Sequence, residues 1–272
     1  KAVGGGGGRG MRIAHNDVAL QKAVSMAAME AQSAFGDDGV YIEKFLENAR
    51  HVEIQVLADE HGRIVTLGER ECTIQRRHQK LIEESPSMRL TNSMRAKMSK
   101  AAYRAAKTIG YSNAGTAEFL VAQDGTFYFI EFNARIQVEH PVTEMITNID
   151  LVKEQIRIAA GEPLRVTSPR FQGHAIEARV YAEDPDANFA PSPGAIAKCH
   201  IPGGPGIRVD SHIFPGYTVP RYYDSLLAKV IAYGNDREEA LHRLAGALQE
   251  FTVVGVKTTA QLCAKILLSD RF

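Results

Sequence analysis

This sequence predicts an α+β fold. Residues 51–57 alternate polar and apolar side chains at period two, and Asp124-Gly125 stands as a hairpin turn between two apolar runs. Helix-period stretches fall between such hairpins without strict βαβ alternation. The 272 residues are enough for one or two domains with a real hydrophobic core. Lys+Arg and Asp+Glu number 32 each, and the resulting zero net charge argues against a strongly basic nucleic-acid binder. Cys72, Cys199 and Cys263 form no CxxC pair. An odd, scattered set argues against a disulfide framework or a structural zinc site and fits a reducing compartment. No apolar run approaches the ~20 residues of a membrane span, and no signal peptide is visible.

The elements follow in order. Residues 1–10 read as a strand remnant and a glycine-rich loop, without an initiator Met, which suggests a segment of a longer protein. Asn16-Asp17 offers an N-cap for a helix over 18–35, closed by Gly36 at C′. Residues 40–46 read as a strand. In 51–57, Val52, Ile54 and Val56 share one face and His51, Glu53 and Gln55 the other, a half-buried strand with 62–67 as its hairpin partner. Thr91 caps a helix to Ile109, stopped by Gly110. A hairpin spans 116–139, and Asn148 or Asp150 opens a helix ending at Gly161. Residues 162–172, with Pro163, Ser168 and Pro169, read as a connector. Beyond it lie strands over 175–182, 207–210 and 228–232, then two closing helices over 236–250 and 258–268.

Two features carry chemistry. Gly4 to Gly8 with Arg9-Gly10 can bring bare backbone N–H groups close to anionic oxygens, which suits a phosphate. The formal GxGxxG match is nearly automatic in a glycine run, and no Gly-Lys-Ser/Thr follows. The stronger signal is the acidic hairpin. If Asp124-Gly125 forms a two-residue loop, Gln123 pairs with Thr126 and Glu118 falls opposite Glu131. Two carboxylates directly across a strand pair repel, which a sequence tolerates when a cation lies between them. Their oxygens suit Mg²⁺ with a phosphate completing the shell. At period two, Glu131, Asn133, Arg135, Gln137 and Glu139 share a face, and Ile130, Phe132, Ala134, Ile136 and Val138 the other. The run Gln75-Arg76-Arg77-His78-Gln79-Lys80 reads as a solvated charge run or as an anion contact. Cys72 reads as a packed thiol, and no Ser-His-Asp pattern is present.

Several segments together resemble the biotin carboxylase family, the ATP-grasp part of biotin-dependent carboxylases. They are Lys1-Ala2-Val3-Gly4 to Met11, Tyr41-Ile42-Glu43-Lys44-Phe45-Leu46, Arg50-His51-Val52-Glu53-Ile54-Gln55 and Gln75 to Lys80. Glu71-Cys72, Phe129-Ile130-Glu131, Arg135-Ile136-Gln137-Val138-Glu139-His140-Pro141, Gly173-His174-Ala175-Ile176-Glu177-Ala178-Arg179 and Ala182-Glu183-Asp184-Pro185 complete the set. The resemblance implies an ATP-grasp core with a partial glycine-rich lid, followed by a biotin carboxylase C-terminal domain. Its boundaries would be 1–46 for the lid part, 47–165 for the core and 166–272 for the C-terminal domain. The implied reaction is ATP- and bicarbonate-dependent carboxylation of biotin through carboxyphosphate.

The resemblance assigns Lys1 and Gly6, Gly7 and Gly8 to the ATP phosphates, and Met11, Glu43, Lys44 and Leu46 to adenine. It puts His51, Gln75 and His78 along ribose and phosphates, and Glu118, Glu131 and Asn133 on Mg²⁺ or Mn²⁺. Lys80, Arg135, Gln137 and the Val138 backbone would bind bicarbonate. Glu139 would be the general base, Arg179 would stabilise charge on the biotin ureido oxygen, and Arg135 would join the chemistry. Phe132 and Ala134 stand where the family more often has Met or Leu and Thr, Ser or Pro, and imply packing effects only. Implied partners are a biotin carboxyl carrier protein or domain, a carboxyltransferase and a second copy in a homodimer, with no nucleic acid and no membrane. The implied compartment is the cytoplasm, or the mitochondrial matrix in a eukaryote. The competing readings are another ATP-grasp carboxylate–amine ligase, which has no reason to carry Arg135, Gln137, Glu139 and Arg179 together, and a truncated noncatalytic nucleotide-binding fragment.

Overall fold

The computed structural model describes residues 1–4 and 10–272, so Gly6, Gly7 and Gly8 lie outside the described residues. The chain divides into two units, 1–49 with 75–79 and 50–74 with 80–272.

The first unit is organised by α1 (Asp17–Phe35). Asn16 Oδ1 accepts from Ala19 N at 2.8 Å, and Gly36 closes the helix in the left-handed region at φ 73°. Its buried face is a ridge of Ala23, Ala27 and Ala31 at spacing four. The strand expected over 40–46 is not formed. Only Val40 makes a bridge, to Ala2, flanked by Val3 N to Gly39 O and Tyr41 N to Lys1 O. A β-pattern becomes a strand only beside a partner that accepts its ladder, and the described chain offers one just across Lys1–Val3.

The second unit is built on one eight-stranded sheet. Its strands are β1 (Arg50–Ala58), β2 (Ile64–Arg76), β3 (Gln79–Ser85), β4 (Asn113–Val121), β5 (Phe127–Asn133), β6 (His174–Tyr181), β7 (Ile207–Ser211) and β8 (Leu226–Gly234). Their order across the sheet is β7-β8-β6-β3-β2-β1-β4-β5. The connector over 162–172 therefore separates two stretches of chain but not two sheets, because β3 pairs with β6 across it.

Helices cover the sheet where its strands are apolar. α2 (Asn92–Thr108), with Thr91 as N-cap, sets Met98, Ala102 and Ala106 on Val52, Ile54 and Phe119. A fully buried side chain of the Val, Ile, Phe or Met size contributes about 1.5–3 kcal/mol of transfer free energy. α5 (Arg237–Glu250) and α6 (Ala260–Leu267) cover Ile176, Ala178 and Val180 of β6, and α4 (Leu151–Ala159) packs near Leu57 and Ala114. α3 (His140–Thr147) lies on the other face of β6, where Val142 and Ile146 meet Ala175 and Ile231. β1 departs from the half-buried expectation, since Glu53 and Gln55 are as buried as Val52 and Ile54. Its polar face is covered by other polar side chains instead of water. Among the described residues no helix is long and apolar enough to cross a membrane.

Candidate active site

Backbone register lays the charged residues of the second unit out in rows. Arg70 of β2 pairs with Glu53 of β1, Glu53 with Glu118 of β4, and Glu118 with Glu131 of β5. On the far side, Glu83 of β3 opposes Glu177 of β6, and Arg179 opposes Lys229 of β8. Directly opposed residues bring their Cβ atoms to about 4.5–5.5 Å. Three acids in one row demand cations between them, and the side chains supply them.

The Glu118–Glu131 pairing is the one read from the turn, but two departures combine to produce it. The loop has three residues instead of two: Ala122 N bonds Thr126 O at 2.8 Å, and Gly125, at φ 81°, bonds back to Ala122 O. That shift puts Val121 opposite Phe127 and Phe119 opposite Phe129. A bulge with Ile130 as the extra residue then returns Glu131 to Glu118.

The period-two reading of 131–139 stops at Asn133, where β5 ends. Ala134 and Arg135 are exposed, and Ala134 does not belong to an apolar face. Phe132 does pack, edge-on against Tyr111 with ring centroids 4.8 Å apart. Gln137 and Glu139 are buried through a turn that leads into α3, whose first turn contains Pro141. A proline there suits a helix start and could not serve a central strand.

Glu139 is the centre of the cluster, 2 % exposed. Its Oε1 accepts from Lys80 Nζ at 2.5 Å and its Oε2 from Arg179 Nη2 at 2.7 Å. Lys80 also donates to Glu53 Oε2 at 2.6 Å and to Glu118 Oε1 at 3.1 Å. Glu118 Oε1 further accepts from Gln137 Nε2 at 2.8 Å and Asn133 Nδ2 at 3.1 Å, and Asn133 reaches Glu131 Oε1 at 3.5 Å. Arg135, exposed, donates only to Ile136 O and Asn133 Oδ1 among the described residues, which leaves its charge without a carboxylate. The Val138 carbonyl accepts from Lys229 Nζ at 3.2 Å.

Burial works to raise the Glu118 pKa, yet His51 and Lys80 outweigh it and hold the carboxyl at about 2. Glu53 follows the same pattern: burial is opposed by Arg70 and Lys80, and the group is held well below the usual range. His51 Nε2 lies 3.1 Å from Glu118 Oε2 and 3.8 Å from Glu53 Oε2. Burial lowers its pKa, but these two carboxylates carry it up to about 9, so the ring is an imidazolium at neutral pH. The structure thus sets His51 among the acids. Glu118, ionised and opposite Glu131 with the Asn133 amide spanning them, offers hard oxygen donors that fit Mg²⁺ or Mn²⁺.

Lys1, Met11, Glu43, Lys44, Leu46, Gln75 and His78 belong to the first unit. There the Lys1 ammonium pairs with the Glu43 carboxylate, and Lys44 and His78 are exposed. Sequence reasoning missed Arg70, wholly buried, whose guanidinium donates to Glu53 at 2.5 Å, Gln55 at 2.6 Å, Thr143 at 3.0 Å, Thr116 at 3.2 Å and Gln137 at 3.3 Å. It also left Glu53 and Gln55 on a solvated face. The available signal was three polar residues at period two, two strands from an acidic hairpin.

Comparison with known proteins places these features. The model of the carbamoyl-phosphate synthase L chain ATP-binding domain matches residues 1–167, and that of the biotin carboxylase C-terminal domain matches 177–272. The chain is 53 % identical over 274 aligned residues to a biotin carboxylase of Haemophilus influenzae, covering 100 % of this chain and 61 % of that protein. It is 52 % identical over 274 residues to a biotin carboxylase of Nostoc, again covering 100 % of this chain and 61 % of that protein. The biotin carboxylase domain dimer of Hydrogenobacter thermophilus 2-oxoglutarate carboxylase, solved with MgADP, ADP and bicarbonate, superposes with a TM-score of 0.97 at 50 % identity, covering 100 % of this chain and 60 % of that one. The Campylobacter jejuni biotin carboxylase complex gives 0.96 at 45 % identity, over 98 % and 60 %. The chain thus spans about 60 % of the length of these relatives.

Proposed function

This chain belongs to the biotin carboxylase family, and on that footing we propose that it carries the site for ATP- and bicarbonate-dependent carboxylation of biotin. The observation that supports this most is the Glu139 carboxylate held between Lys80 and Arg179 at 2.5 and 2.7 Å, four residues after an exposed Arg135 that meets no carboxylate among the described residues. Bicarbonate is an anion and a poor nucleophile, and its partner is a polyanion. A site for their union must neutralise charge and align the reactants.

In this reading Arg135, Gln137 and the Val138 backbone bind bicarbonate, with Lys80 supplying positive charge. Glu139 takes the bicarbonate proton while the anion attacks the γ-phosphorus of ATP, giving carboxyphosphate and ADP. The carboxyl group passes from carboxyphosphate to N1 of biotin as its bond to the phosphate oxygen breaks, and the departing phosphate takes the proton that N1 loses. Arg179 faces the ureido oxygen, where negative charge develops. Glu118, Glu131 and Asn133 would hold Mg²⁺ or Mn²⁺, which supplies charge neutralisation on the phosphates when bound. Lys1, Gly6, Gly7 and Gly8 would contact the phosphates, and Met11, Glu43, Lys44 and Leu46 the adenine, with His51, Gln75 and His78 along the rest of the nucleotide. The biotin arrives on a carrier protein or domain, a carboxyltransferase consumes the carboxybiotin, and two copies associate as a dimer. The domain divisions 1–46, 47–165 and 166–272 are part of the same proposal, as is a cytoplasmic or matrix setting.

The test is ATP hydrolysis with and without bicarbonate, and with and without free biotin. The proposal requires hydrolysis that depends on bicarbonate and rises with biotin. Hydrolysis indifferent to bicarbonate refutes it in favour of another ATP-grasp ligase. Nucleotide binding without turnover refutes it in favour of a noncatalytic module.

A further inference from the structure

Behind Arg179 lies a pair of acids that the proposed reaction does not use. Glu83 and Glu177 oppose each other directly across β3 and β6, and both are fully buried. Glu83 Oε1 accepts from Arg179 Nε at 2.5 Å. Among the described residues, its Oε2 and both oxygens of Glu177 have no hydrogen-bond partner. Arg179 is thus gripped along one edge by Glu83 and at Nη2 by Glu139, which aims the guanidinium. Two buried carboxylates facing each other with only one of their four oxygens bonded cannot both be ionised. One proton between them would join Glu83 Oε2 to one of the two Glu177 oxygens.

We propose that Glu83 is a positioning residue for Arg179, and that Glu177 carries a proton that leaves Glu83 charged and committed to the guanidinium. Burial drives both carboxyls upward, Glu83 to about 7 against the pull of Arg179, and Glu177 well above the usual range, with Glu83 as the next cause. The charged groups facing the pair are Arg179 on β6, Lys80 on β3, Lys229 on β8 and Glu139 ahead of α3. Lys229 is engaged with Asp210 at 3.1 Å and the Val138 carbonyl, so it does not cap Glu177. Cys263 on α6, Cys72 on β2 and Tyr181 on β6 also feel the Glu83 charge; burial pushes the Cys263 thiol and the Tyr181 phenol up to about 12 and the Cys72 thiol well above its usual range, which keeps all three neutral.

The sign of the pH effect follows. A carboxyl whose folded pKa is raised holds its proton in the folded chain after the unfolded chain has released it. Folded stability then falls as pH rises from the ordinary carboxylate range toward the raised value. A glutamine at 177 is neutral at every pH and removes that loss. The experiment is thermal unfolding of the full chain, wild type and Glu177→Gln, from pH 4.5 to 8. The expected result is a Tm for Glu177→Gln that overtakes wild type as pH rises, with the gap widening. A Glu177→Gln Tm below wild type by a pH-independent margin overturns the proton on Glu177.

The second arm, which rests on the proposed function, follows biotin carboxylation by Glu83→Gln and Glu83→Asp. Turnover of Glu83→Gln should fall at least tenfold with KM for ATP unchanged, and the aspartate should recover part of it. Unchanged turnover overturns the positioning role. A wild-type chain without bicarbonate-dependent hydrolysis refutes the functional reading instead, and the unfolding arm alone then decides the pair.

Discussion

Replacing Arg70 by methionine tests whether a fully buried guanidinium holds the acid row together. Arg70 has no exposed surface and makes five hydrogen bonds, one of them to the equally buried Glu53. Removing one member of a buried ion pair typically costs about 3–5 kcal/mol, because the surviving charge is left uncompensated. Glu53 keeps Lys80 at 2.6 Å, which places the expectation at the lower end, about 3 kcal/mol. The methionine fills most of the volume, so little of this is a cavity effect. At roughly 2–4 °C per kcal/mol for a chain of this size, Tm should fall by about 6–12 °C. The assays are thermal and urea unfolding at pH 7, with Glu53→Gln and the double variant completing a cycle. The double variant should be more stable than the sum of the singles by at least ~1 kcal/mol, since neutralising both removes the stranded charge. A single-variant loss under ~1 kcal/mol, or strict additivity, would refute the view that Arg70 and Glu53 depend on each other.

Glu139→Gln should lower bicarbonate-dependent turnover by about 10²–10⁴-fold, the usual worth of a general base, with nucleotide affinity spared; single-turnover kinetics and nucleotide titration separate the two. It should still fold, because Lys80 keeps Glu53 and Glu118, and Arg179 keeps Glu83. His51, raised to about 9, contributes stability that is fully present below its unfolded value near 6.5 and is lost as pH rises through 9. Chemical denaturation of wild type against His51→Asn across pH 6–10 should show that loss, on the order of 2–3 kcal/mol, only in wild type. Gly115→Ala should cost about 1–3 kcal/mol, because a Cβ there would come within 2.7 Å of the Tyr111 and Phe132 rings, and differential scanning calorimetry should register it.

The sequence by itself determined the elements whose signals are local. The Asn16 and Thr91 caps, the glycine at 36 and the presence of a strand over 51–57 all appear as read, and Asp150 is the one of the two offered caps that forms, because capping and pleating depend on residues within a turn of one another. Of the residues that the family resemblance singles out, Lys80 donates to Glu118 and Glu139, Arg179 donates to Glu139, and Glu131 stands opposite Glu118. What the sequence did not hold was register and partnership. The turn residues favoured a two-residue loop, and only the aromatic packing of Phe119 against Phe127 and Phe129 across β4 and β5 accompanies the shifted pairing that the Ile130 bulge then repairs. Residues 40–46 have strand chemistry without a strand, since pairing requires a neighbour that local sequence cannot name. Glu53, Arg70, Glu83 and Glu177 lie far apart in sequence, and each looks like a surface charge until β3 meets β6 and β1 is enclosed by β2 and β4. Burial turns those charges from solvated decoration into an interlocked set, because removal from water makes every unpaired carboxylate costly and every pairing with a guanidinium decisive.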